Sequence, residues 1–289
     1  MVAAEPLHPR RESAFYETWR RFKRSRGGVI GLAVIVLLVT LALAAPVLAP
    51  YNPNAVSRDR LQPPSAAHLF GTDNIGKDIF SGVLYGGRVS LTVGLLAALS
   101  ALSIGLIVGS LAGYYGGAVD SILMRLSELF QTMPQFFLAL VMVAILGGST
   151  GLIILVLGIV SWPATARIVR AEFLALRERE FVEAARAMGF SHRYIIFSEI
   201  LPNALPPAIV RCTLDIASAI LIEAGLSFFG LGNPAVASWG QMLNRAQPFL
   251  ATAWWLSLFP GSAIFLAVLA FNLVGDALND ALNPELKER

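Results

Sequence analysis

The sequence predicts an all-α, polytopic membrane protein with six transmembrane helices, both termini cytoplasmic, and a structured cytoplasmic loop between the fourth and fifth helices. Three observations lead there. First, 56% of the 289 residues are hydrophobic and only 14% are charged, with a mean hydropathy of +0.66. A soluble domain carries roughly a quarter charged residues, so the natural solvent of this chain is a bilayer. Second, six apolar stretches reach the length of about 20 residues that crosses hydrocarbon as a helix. Third, lysine and arginine collect on one side of those stretches.

In chain order, a cytoplasmic N-terminal tail (1–28) precedes the first span (29–48), which carries no charge. An extracytoplasmic loop (49–88) follows, and then a five-helix core (89–278) with its inward loop at 171–203, closed by a cytoplasmic tail (279–289). Within the core the spans are read at 89–114, 122–146, 150–168, 204–229 and 253–274. The third contains Arg125 and Glu128, the fourth Pro163, the fifth Arg211, Asp215 and Glu223. With the N-terminus inside, sixteen of the 22 basic residues face the cytoplasm and five face outward. The first apolar run is followed by small residues, as at a signal-peptide cleavage site. At about 20 residues it exceeds a signal h-region of roughly 7–15, so it is read as a span.

Several functional classes fall away. The net charge of +3 is too small for a nucleic-acid surface, and the basic residues flank apolar stretches. The single cysteine, Cys212, excludes an intrachain disulfide or a cysteine-based metal site. His8, His68 and His192 lack second ligands at metal spacing, and no Ser/His/Asp or Cys/His arrangement suggests catalysis. Gly71-Thr72-Asp73-Asn74-Ile75-Gly76-Lys77 fits seven positions of a phosphate loop, but Asp78 stands where a magnesium-binding hydroxyl belongs. The segment also follows a Pro-rich loop, not a strand, and lies on the wrong side. If ATP drives this protein, another chain binds it.

The inward loop carries the strongest local signal. Residues up to Met188 are helix formers, with Phe181, Ala184, Ala185 and Met188 at helical spacing. Gly189 sits where a helix end needs a left-handed residue. Ser191 can cap a second short helix, which Pro202 is expected to stop. Two short helices at an angle would make a compact elbow, suited to a groove on another protein. The alternative is an ordinary amphipathic loop solvated by its charges. In the fifth span, Arg211 and Asp215 lie four apart and can pair. They form a polar lining for a transport path, a contact to a companion subunit, or a self-satisfied helix–helix ion pair, while Glu223 falls nearer the outer end, where it is expected to reach the membrane interface. Trp254 and Trp255 read as interfacial anchors.

Glu183-Ala184-Ala185, then Gly189, then Ile200-Leu201-Pro202 resemble the cytoplasmic E-A-A…G…I-x-L-P loop of binding-protein-dependent ABC importer permeases. His68 to Asp78 with Gly87 to Leu91, Glu223 to Gly232 with Ser238-Trp239-Gly240, and Asn272 to Asp276 resemble the second permease subunit of the dipeptide/oligopeptide/nickel branch. Lys77 departs from the arginine common there, with charge kept. The resemblance implies a bacterial inner-membrane pore subunit that imports di- or oligopeptides, nickel being the alternative cargo. It implies that Glu183, Ala184, Ala185, Arg186, Met188, Gly189 and Phe190 couple to ATPases; Arg211, Asp215 and Glu223 are candidates for the translocation path from their charge within the fifth span. It also implies four partners: a homologous permease completing a heterodimeric pore, two ATP-binding subunits that hold the ATP and magnesium, and an extracytoplasmic binding protein. This chain itself would carry no cofactor. The rival from another class is a self-sufficient ion-coupled secondary transporter using Asp215 and Glu223.

Overall fold

The computed structural model of the chain describes residues 14–282. Arg10, Arg11, Lys287 and Arg289, counted above for orientation, lie outside those residues. Among the described residues the chain is helical, with one isolated β-bridge between Thr72 and Asp78.

Part of the expected N-terminal tail is a helix, α1 (Ala14–Arg24). Its Glu17 pairs with Arg21 at 2.5 Å, and Phe22 is buried against Ala277 and Ala281 of the last helix. Ser25 breaks α1 and caps α2 (Arg26–Leu43), its hydroxyl accepting from the Gly28 amide. The first span was expected to continue to residue 48, but the helix bends at Ala44 and restarts as α3 (Ala45–Leu48). Pro46 explains the bend, since it lacks the amide that would bond four residues back. Arg88 donates to the Ala42 and Leu43 carbonyls at 2.6 and 2.7 Å, so the break is not left unsatisfied.

The following loop is built by side chains. Asp73 Oδ1 accepts from the Ile75 and Lys77 amides, and His68 Nδ1 lies 3.0 Å from Asp78 Oδ1. The glycines of the apparent phosphate loop, Gly71 and Gly76, have φ of +77° and +83° and make tight turns. Asp78 caps α4 (Ile79–Tyr115) by accepting from the Ser81 amide at 2.7 Å. α4 therefore starts ten residues before the apolar stretch read from residue 89, and its 37 residues extend about 55 Å at 1.5 Å per residue. Hydropathy misses this first part because Arg88 and the Gly86-Gly87 pair interrupt it.

The third stretch is not one straight helix. α5 (Gly117–Gln131) and α6 (Gln135–Leu146) meet at 84° across Thr132, Met133 and Pro134. Proline keeps the residue before it out of the helical region, which ends α5, and then opens α6. Among the described residues five helices are thus long and apolar enough to cross a membrane, or six if the bent pair counts as one span.

α7 (Thr150–Leu176) packs along α4 in the most extensive helix contact among the described residues. Gly105, Gly109 and Gly113, each four apart, form the α4 side of that seam. A Cβ on any of them would meet Thr165, Ala166 and Val169, or Phe173 at 2.5–2.7 Å. This is small-residue packing, which brings helices to close range in a solvent that offers no hydrophobic drive.

α8 (Glu180–Ala187) is a short helix, as expected. The second elbow helix is not separate. A turn, α9 (His192–Tyr194), passes through a π-helical stretch (Ile195–Ile200) into α10 (Leu201–Phe228), a 37-residue run in all. Pro202 does not stop it. The wide turn bonds the Leu201 amide to the Ile196 carbonyl, so α10 starts afresh and Pro202 takes a first-turn place that needs no amide.

α11 (Trp239–Ala246) is short and capped by Ser238, and α12 (Trp255–Leu282) closes the described fold. Trp254 is exposed, as an interfacial anchor should be. Trp255 is not such an anchor. It is buried, and its indole donates to the Thr72 carbonyl at 3.2 Å, bolting α12 to the 49–78 loop.

Candidate functional site

The elbow starts from a helix end. The Gly189 amide bonds the Arg186 carbonyl at 3.0 Å and the Phe190 amide bonds the Ala185 carbonyl at 3.2 Å. These are the two bonds of a Schellman cap, and Gly189 holds the left-handed position at φ +79°. Ser191 then caps α9 by accepting from the Tyr194 amide at 3.3 Å. Chain direction is thus fixed by three local bonds and one glycine.

Two residues of α8, Val182 and Ala185, are buried among Ile195, Ile196 and Ile200 of the following run and Val169 and Phe173 of α7. Glu183, Ala184, Arg186, Met188, Gly189 and Phe190 face outward. The expected apolar stripe therefore splits: Ala185 anchors, while Phe181, Ala184 and Met188 stay exposed. Phe190 stacks on Tyr194 with centroids 4.4 Å apart. Met188, Phe190, Tyr194 and Phe197 leave an aromatic and sulfur-bearing patch at the tip, with Met188 69% exposed.

The base of the elbow is pinned by polar contacts that sequence reasoning did not single out. Tyr114 Oη lies 2.7 Å from His192 Nδ1, joining the end of α4 to α9. Arg170 makes a two-pronged ion pair with Asp120 at 2.5 Å, and Arg177 donates to the Gly113 carbonyl at 3.1 Å. Each joins residues 50 or more apart, so nothing in local spacing announces it.

Of the three acids and bases of the fifth stretch, two come together. Arg211 Nη2 lies 2.8 Å from Asp215 Oδ1, and Thr165 of α7 donates to Asp215 Oδ2 at 3.3 Å. Asp215 is buried, while Arg211 reaches an open cleft of about 520 Å³ at the α5–α6 bend. Gln131, Gln135, Ser161, Pro163 and Arg167 are also on its walls. Arg167 entered the sequence reading only as an orienting charge.

Glu223 is elsewhere, and it does not reach an interface as its place near the end of the stretch suggested. It is 3% exposed and accepts from Ser227 at 2.7 Å and Ser90 at 3.3 Å. Ser90 in turn accepts from the Trp239 amide, so Glu223 latches α4, α10 and the start of α11. Replacing Glu223 by alanine removes the shared acceptor and should cost about 1–3 kcal/mol. The expected readout is a thermal midpoint several degrees lower in detergent, with Glu223→Gln losing less. An unchanged midpoint for the alanine variant would rule out the latch.

Known proteins share this organisation. The family model described as "binding-protein-dependent transport system inner membrane component" matches residues 105–288, and that of the N-terminal TM domain of oligopeptide transport permease C matches residues 13–64. The chain is 41% identical to the dipeptide transport system permease protein DppC of Alkalihalophilus pseudofirmus, over 99% of this chain and 97% of that protein. It is 42% identical to the glutathione transport system permease protein GsiD of Pectobacterium atrosepticum, over 94% and 91%. The fold matches the MetNI methionine ABC transporter in inward-facing form, with a TM-score of 0.56 at 22% identity, over 70% of this chain and 96% of that one. The elbow, the six apolar stretches and the matches along nearly the whole chain have one reading: this protein belongs to the binding-protein-dependent ABC importer permeases, as a multi-pass subunit of the bacterial inner membrane.

Proposed function

We propose that this chain forms half of the pore of an ATP-driven peptide importer, with both termini and the elbow in the cytoplasm. The observation that carries the reading is the elbow itself: a glycine-capped helix whose inner face is locked to a 37-residue run, while its tip remains apolar and exposed. Such a tip suits a groove on a cytoplasmic ATPase. Because α8 and α10 share a packed core, a push on Met188 and Phe190 is delivered to the α10 helix, and through Arg211, Asp215 and Thr165 to α7. Two ATPases supply the nucleotide and magnesium, a homologous permease supplies the other half of the pore, and a binding protein docks over the 49–88 and 230–252 loops.

The cleft at the α5–α6 bend supports a path beside this lever. Non-helical backbone and arginine side chains at membrane depth are tolerated where they line water or protein, not lipid. The peptide cargo rests on the dipeptide and peptide relatives.

Purifying the tagged chain from native membranes tests the assembly. The expected result is stoichiometric recovery of a second permease and two Walker-motif ATPases, with binding-protein-dependent peptide uptake after reconstitution. A chain that purifies alone and moves solute along an ion gradient without ATP overturns the reading. Nickel uptake with no peptide uptake overturns the cargo alone.

A further inference from the structure

We propose that Arg167 and Arg211 form a subsite for the C-terminal carboxylate of a peptide in transit, on the wall of the cleft opened by the α5–α6 bend. The inference rests on the peptide-importer reading above and adds to it a recognition chemistry inside the pore.

The charge balance of the cleft is the first argument. Its lining contains two charged residues, both arginines. Asp215, which is 3% exposed and not on the lining, pairs with Arg211 alone and accepts from one of its guanidinium nitrogens at 2.8 Å. Arg211 Nε is buried without a hydrogen-bond partner. Arg167 is exposed and has no ion-pair partner among the described residues. Arg211 and Asp215 therefore neutralise one another, and the positive charge of Arg167 faces the cleft uncompensated.

Geometry is the second. A guanidinium presents its donors in a planar fork that matches a carboxylate in two-point fashion, which a lone ammonium does not do. The bend adds to this, because Pro134 and Gln135 at the start of α6 border the cleft and no side chain caps that helix. Its first amides carry partial positive charge at the border of the cleft. Gln135 and Ser161, 2.7 Å apart, offer neutral donors and acceptors beside the arginines, suited to the amide groups of a peptide. The cleft volume falls within the roughly 300–1,000 Å³ of small-ligand sites. An exposed positive charge placed only to orient the chain would need neither the cleft nor the second arginine.

Equilibrium binding of radiolabelled alanine tripeptide and of its C-terminal amide to the purified permease–ATPase complex, without the binding protein, tests the assignment. The wild-type complex is expected to bind the free acid about tenfold more tightly than the amide. Arg167→Gln should bind both equally weakly, and Arg167→Lys should retain part of the preference. Arg167 is the residue to change because it is unpaired; removing Arg211 strands the buried Asp215. Equal binding of acid and amide by the wild type overturns the subsite, as does an intact preference in Arg167→Gln or an absence of binding at millimolar peptide. Uptake of the same tripeptide by the complete importer separates the two readings. Uptake without discrimination in binding sinks the subsite alone, whereas a complete complex that takes up no peptide sinks both.

Discussion

Replacing Gly109 by leucine is expected to abolish recovery of folded protein while leaving insertion of the first helix intact. A Cβ at this position would sit 2.5 Å from the Ala166 carbonyl oxygen and 2.7 Å from Val169 Cβ. Neither neighbour can yield. One is helix backbone and the other is a β-branched carbon with a single preferred rotamer in a helix. The helices must separate instead, and the loss is not local. Arg177 at the end of α7 bonds the Gly113 carbonyl of α4 across this seam, while Thr165 bonding Asp215 and Tyr114 bonding His192 tie the two helices on to α10 and α9. Overpacking alone costs about 1–3 kcal/mol, and the lost contacts add to it. The measurement is the monodisperse fraction on size-exclusion chromatography in detergent. Gly109→Ala should lose part of it, Gly109→Leu nearly all. Gly151 is the control, because a Cβ there meets nothing within 4 Å; Gly151→Ala should match wild type. Normal recovery of Gly109→Leu would show that the glycine seam does not hold the pair.

The seam also shows where the sequence was legible. Length and apolarity of α2, α4, α7 and α12 are properties of each segment alone, so hydropathy finds them. The turn at Gly189 is local too, since capping residues within four positions of it determine the outcome. Helix extent was read less well. Pro46 and Pro134 divide stretches that hydropathy treats as continuous, and the Asp78 cap and the π-helical stretch join parts that it treats as separate. Proline was the ambiguous letter: the same residue type breaks a helix at Pro134, begins one at Pro202 and rides inside one at Pro163. The spacing of Gly105, Gly109 and Gly113 was a signal present in the sequence and not used. Arg167 was used, but only for its sign. Its place beside Arg211 depends on how α7 and α10 cross, which no spacing within either helix encodes.

Gly189→Val is expected to reduce uptake at least tenfold while leaving the protein folded and assembled. A Cβ at Gly189 meets nothing within 4 Å, so packing does not resist the substitution. The backbone does. At φ +79° an L-residue incurs about 1–2 kcal/mol, and β-branching makes that region harder still to occupy. The strain is most easily released by unwinding the last turn of α8, at the bonds from Gly189 to Arg186 and from Phe190 to Ala185 that close its end. Val182 would still be buried and α10 would still be intact, so stability should fall little. Met188 and Phe190 would shift relative to α10, the helix that the proposed coupling has them push. Asparagine tolerates the left-handed region far better than valine, so Gly189→Asn should keep most of the transport that Gly189→Val loses. The readouts are peptide uptake and binding-protein-stimulated ATP hydrolysis in the same reconstituted complex: uptake falls in the valine variant, and hydrolysis no longer responds to the binding protein. Equal uptake in the valine variant and wild type would remove the elbow from the coupling path. Equal loss in the valine and asparagine variants would trace the defect to the side chain and away from the left-handed turn, because the two differ mainly in how readily they adopt it.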